Sequence, residues 1–139
     1  MKRSFLVLAA LSLAGTASAQ TVEVGKADNW DGFPPIKRNS RPLDVSFLSD
    51  WAYDILKTGK CKLPGQRAER FDIDVPYVAL IEPNGTVKRI IVAETGCAPL
   101  DTMVGSTVVE MAKRGEFKPT GQDRAYWFGD RIQFERIGS

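Results

Sequence analysis

Histidine is missing from all 139 residues. Its absence removes the commonest general acid and base, so any catalysis would fall to Asp, Glu, Lys, Tyr or Cys. Cysteine is scarce, with Cys61 and Cys97 the only two. Two thiols without an imidazole fall short of a usual four-ligand zinc site. Their spacing is not the Cys-x-x-Cys of a thioredoxin-like redox pair. No paired-carboxylate pattern stands out either: Asp72 and Asp74 alternate within a strand pattern and read as one solvent face. No metal, no cofactor and no enzymatic activity is expected. Long apolar runs are lacking too. The longest, residues 5–13, is shorter than the roughly 20 residues of a spanning helix.

That apolar run is part of a secretory leader. Met1-Lys2-Arg3 supplies the positive start, and Ala17-Ser18-Ala19 is a small-x-small cleavage site. Residues 1–19 read as a signal peptide, with the mature chain starting at Gln20. No cysteine follows the cleavage point, so a lipid anchor is not expected, nor is stable membrane insertion after cleavage. The protein is expected in the periplasm or secreted. Charge follows the leader: the net of +2 disappears once Lys2 and Arg3 are removed. A neutral mature chain offers no electrostatic case for a nucleic-acid partner. In an oxidising compartment, an even cysteine count predicts a Cys61–Cys97 disulfide.

Residues 20–45 read as an arm, broken by Gly25, Gly32, Pro34-Pro35 and Pro42, with a short edge strand at residues 21–24. Trp30 and Phe33 lie in its turn-rich part. They either pin the arm to the core or form a contact loop. Phe47, Leu48, Trp51, Ile55 and Leu56 have helical spacing over residues 46–58, with Ser46 as N-cap and Gly59 past the end. A polar connector with a small basic cluster, Lys60, Lys62, Arg67 and Arg70, follows. Phe71, Ile73 and Val75 alternate towards an apolar strand at residues 77–81, with Pro76 expected at a strand start or bulge. Glu82-Pro83-Asn84-Gly85-Thr86 is a hairpin turn leading to a strand at residues 87–93. Pro99 opens a helix whose stripe is Leu100, Met103, Val104, Thr107, Val108 and Met111; Gly105 beside it permits close approach to the sheet. The last strand spans residues 126–137.

A helix between two strands acts as a crossover, so the last strand should run parallel to residues 87–93, with residues 77–81 between them and antiparallel to both. The expectation is an α+β domain over residues 46–139: a small, mainly antiparallel three-stranded sheet with a strand-turn-strand-helix-strand core, packed by a leading helix. The order leaves the last strand at an open edge unless the arm covers it.

The order of motifs resembles the C-terminal domain of TonB. Those motifs are the apolar strand at residues 78–81, Pro83-Asn84-Gly85, the strand at residues 87–93, Thr95-Gly96, Leu100-Asp101, Phe117-Lys118-Pro119 and Ile132-Gln133-Phe134. The resemblance implies a periplasmic module that grips a protein or peptide partner, such as a segment of an outer-membrane receptor or a second copy. Lacking histidine and a long proline-rich spacer, the chain is expected to be a stand-alone module and not an energy transducer. Edge-strand pairing through Arg131, Ile132, Gln133, Phe134 and Glu135 is the expected binding mode. The alternative is a small secreted inhibitor or accessory protein of an envelope enzyme, using Trp30 and Phe33 or the loop at residues 121–129.

Overall fold

The computed structural model describes residues 21–26, 29–39 and 44–138. The leader, its cleavage site and Pro42 lie outside them. The described residues form four strands: β1 (Thr21–Gly25), β2 (Phe71–Ile81), β3 (Val87–Ala93) and β4 (Tyr126–Arg136). Helix α1 (Phe47–Lys57) precedes β2, and α2 (Ala98–Lys113) links β3 to β4. The architecture is α+β, but the sheet is four-stranded and mixed, in the order β1-β3-β2-β4. The three-stranded expectation is corrected by β1, which pairs parallel to β3 from Thr21↔Arg89 to Gly25↔Ala93. Such a pairing joins segments far apart in sequence and leaves no local pattern to read. The rest of the order stands as expected, with β2 antiparallel to both β3 and β4.

Alternation decides the core. Phe71, Ile73, Val75, Tyr77, Ala79 and Ile81 of β2 are all buried, and so are Phe128, Ile132 and Phe134 of β4 on the same face. Leu48 and Ala52 of α1 and Leu100, Val104, Val108 and Met111 of α2 join them in one cluster. Each fully buried Val, Leu, Ile, Phe or Met side chain among them contributes about 1.5–3 kcal/mol. Phe71 and Phe134 meet edge to face at 6.4 Å between ring centroids. With both helices on that face, the opposite face of β2 is covered only in part, and Asp72 and Asp74 are exposed there.

Pro76 lies inside β2, not at a strand start or bulge. The reason is topological. β2 runs eleven residues against β4, but its pairing with β3 stops at Tyr77↔Val92. Pro76 has its nitrogen turned towards the β3 side just beyond that last pair, where no ladder bond is asked of it. The one irregularity falls at Leu80/Ile81. Beyond it, Glu82 N–H bonds Thr86 carbonyl at 2.8 Å and Gly85 N–H bonds Glu82 carbonyl at 2.9 Å, closing the hairpin.

Cys61 and Cys97 form a disulfide with Cα atoms 5.5 Å apart. It ties the polar connector after α1 to the start of α2. Ser46 stands at the N-cap of α1 without a side-chain capping bond. Its own N–H is held by Asp44 Oδ1 at 2.9 Å, which lowers the Asp44 carboxyl below its ordinary range.

Candidate functional site: the β4 edge

The arm reaches β4 at one glycine. Gly129 N–H donates to Pro34 carbonyl at 2.9 Å, and Ile36 N–H donates to Gly129 carbonyl at 3.0 Å. Pro35 and Gly129 thus form a parallel bridge. A side chain at 129 would obstruct it, since an added Cβ would stand 3.2 Å from Phe33 Cβ and 3.5 Å from Trp30 carbonyl. The arm then leaves the edge. Lys118 N–H bonds Lys37 carbonyl at 2.9 Å, and Asn39 N–H bonds Glu116 carbonyl at 2.8 Å. Residues 34–39 therefore strap β4 to the segment that follows α2.

A polar cluster lies beneath the strap. Arg38 Nε donates to Glu116 Oε1 at 3.0 Å. Glu116 is 2% exposed and its second oxygen is unpartnered. The Arg38 guanidinium also reaches 3.9 Å from Asp130 Oδ2, which accepts the Tyr77 hydroxyl at 3.3 Å. Burial, aided by the Asp130 charge, pushes the Tyr77 phenol far above its ordinary range.

The strap settles which backbone groups of β4 face outward. Gly129 turns both of its groups to the arm, and the β2–β4 register is unbroken. In an antiparallel ladder these groups alternate sides, so Arg131, Gln133 and Glu135 face outward as Gly129 does. Arg131 N–H is taken by Asp130 Oδ1 at 2.8 Å. Among the described residues, the outward groups of Gln133 and Glu135 have no backbone partner.

The five expected edge residues divide by face. Ile132 and Phe134 are buried in the core at 4% exposure. Arg131, Gln133 and Glu135 are exposed. Arg131 pairs with Asp74, Nη1 to Oδ2 at 2.8 Å, and with Asp31 of the arm; both carboxylates hold its guanidinium in the charged form. Gln133 donates to Asp72 Oδ1 at 3.1 Å. Trp30 packs against the core and Phe33 over Gly129, so the residues of the alternative contact loop adjoin the edge. Beside the free part of the edge lies an open groove, lined by Val45, Ser46 and Ser49 at the start of α1 and by Gln133, Phe134 and Glu135. An edge strand flanked by a helix suits an extended peptide, which adds a strand and places alternate side chains against the helix.

Sequence reasoning missed the helix wall of this groove, the Asp130 cap on Arg131 and the Arg38–Glu116 pair. The sequence left open whether the arm, broken at Pro34-Pro35, would cover this edge. Lys60, Lys62, Arg67 and Arg70 remain a largely exposed basic surface. Among the described residues no group of three or more His, Cys, Asp or Glu is placed to hold a metal ion. No family model, curated protein or solved structure matches the chain. Among the described residues no helix is long and apolar enough to cross a membrane. That finding and the disulfide are both compatible with export.

Proposed function

We propose that the protein is an exported, periplasmic interaction module without enzymatic activity, binding an extended peptide along the β4 edge. One observation carries this reading: Gly129 already holds an extended segment, Pro34–Ile36, by the backbone pairing that a peptide ligand would use. The adjoining Gln133–Glu135 edge and its groove against α1 repeat the opportunity. The motif order, which resembles that of the TonB C-terminal domain, supports a receptor-derived segment as ligand. The inhibitor reading would need Trp30 and Phe33 to meet a partner in place of their own chain.

The test is a titration of isotope-labelled protein with an extended receptor-type peptide. Backbone shifts at Arg131, Gln133 and Glu135 are expected. Gln133→Pro should abolish them, because it removes an outward N–H while sparing the ladder to β2. Gln133→Ala should be nearly neutral, since the lost Asp72 contact is exposed. Shifts confined to Trp30, Phe33 and residues 121–129 would overturn the edge model in favour of the inhibitor reading.

A further inference from the structure

The arm occupies one end of the edge that a peptide would use. Gly129, Arg131, Gln133 and Glu135 turn backbone groups outward, and with the arm in place only the last two are open. Both groups of Gly129 are taken by Pro34 and Ile36. Arg131 N–H is capped by Asp130, whose other oxygen lies 3.9 Å from the Arg38 guanidinium. A ligand pairing along the whole edge therefore has to displace the strap. The strap is fastened in a way that lets it go. It meets β4 through a single bridge. Pro34 has no N–H to carry the parallel ladder towards Trp127, and the Asp130 cap denies Arg131 N–H to the Ile36 carbonyl. Arg38 supplies the stronger hold, through Glu116. That carboxylate is buried with its second oxygen unpartnered, so the closed strap satisfies it only in part. The penalty opposes closure, and opening relieves it by admitting water.

We propose that residues 34–39 are a built-in competitor for the β4 edge, with the Arg38–Glu116 pair as the latch. The strap peels from Gly129 to admit a ligand, and the latch sets how often it does. The inference rests on reading β4 as a peptide-binding edge. A ligand's apparent affinity then falls in proportion to the fraction of molecules in which the strap is open. Being tethered, the strap competes at an effective concentration of about millimolar. Two backbone bonds and the latch are then enough to turn away segments that pair weakly. A ligand that pairs from Gly129 to Glu135 gains the bonds that the strap gives up, and displaces it.

Hydrogen exchange and a peptide titration test the strap together. In the parent protein, the amides of Gly129 and Ile36 should exchange at least about ten-fold faster than those of Ile132 and Phe134, which face β2. Equal rates would mean that the strap opens only when the whole fold does, which overturns the proposal. The ligand probe is a synthetic peptide of residues 33–39, blocked at both ends. An Arg38→Ala chain has lost its own latch, but the peptide still carries Arg38 to offer Glu116. That variant should bind the peptide at least about ten-fold more tightly than the parent, with shifts at Gly129, Arg131 and Gln133. Arg38→Met, the milder change, should gain in the same direction. Glu116→Gln should gain nothing, because it weakens the tethered strap and the added peptide alike. A gain in Glu116→Gln equal to that in Arg38→Ala would trace the effect to general loosening and overturn the latch. Equal binding by the parent and both Arg38 variants, with shifts at Gln133 and Glu135 alone, would overturn the strap and leave the edge reading standing. Fast Gly129 exchange with no binding by any of them would overturn the edge reading, and this inference with it.

Discussion

Arg38 and Glu116, 78 residues apart in sequence, form the ion pair that fastens the arm over the core. The Glu116 side chain is 2% exposed and the Arg38 side chain 26%. Removing one member of a buried pair strands the other charge. Arg38→Ala should therefore destabilise the protein by about 3 kcal/mol, read as a lower urea midpoint with little change in slope. Replacing both partners with apolar residues, Arg38→Met with Glu116→Leu, should recover most of that loss. A single variant as stable as the parent would show that the pair contributes nothing.

The Cys61–Cys97 bridge closes a loop of 36 residues' separation. In the chain-entropy model that restriction of the unfolded chain is worth about 3–4 kcal/mol. Cys61→Ser should lower the urea midpoint accordingly, and the unmodified protein should show no alkylatable thiol before reduction. An unchanged midpoint would mean that the bridge adds no net stability.

Tyr77 gives a pH signature. Its folded pKa lies above the unfolded value of about 10, so at high pH the native state holds a proton that the unfolded chain releases. The sign follows: this contribution is complete below pH 10 and is lost as pH rises above it. The loss should approach about 1.4 kcal/mol per pH unit. Tyr77→Phe should flatten that alkaline decline relative to the parent in paired unfolding curves, at a cost near neutral pH of about 1 kcal/mol for the hydrogen bond to Asp130. Parallel declines for the two proteins would place the alkaline sensitivity elsewhere.

Gly85 is tied to its turn in two ways. Its φ is +93°, and an added Cβ would lie 2.6 Å from Phe117 carbonyl oxygen. Gly85→Ala should cost at least about 1–3 kcal/mol from backbone strain alone. Thermal unfolding of the variant measures it; a shift within error would mean that the Phe117–Pro119 segment yields easily.

At Gly105 the obstacle is a side chain, Val22 Cγ1, instead of backbone. Gly105→Ala should push β1 away from α2 and cost about 1–3 kcal/mol by overpacking. Gly105→Ala combined with Val22→Ala should restore much of the loss. Independent, additive effects would show that the two residues do not meet in solution.

Local pattern was enough for much of the fold. The period-2 alternation of Phe71, Ile73 and Val75, the Pro83-Asn84-Gly85 turn and the 3.6-residue stripe from Leu100 to Met111 each appear where the sequence places them, because neighbours in the chain alone decide them. The inward faces of Ile132 and Phe134 follow from the same alternation. Chain connectivity also puts β2 between β3 and β4, since a hairpin and a helical crossover leave few other arrangements. Tertiary structure decided the remainder, and in every case the cause is contact between segments distant in sequence. The sequence marks residues 21–24 as an edge strand but not that they run parallel to β3. It offers Pro34-Pro35 but not that Gly129 would receive them, nor that Arg38 would find Glu116. It places Gln133 on an edge but not beside Ser46 and Ser49 of α1, whose proximity turns an exposed edge into a groove. Periodicity reports which side of an element is apolar; what that side meets depends on the packing of the whole chain.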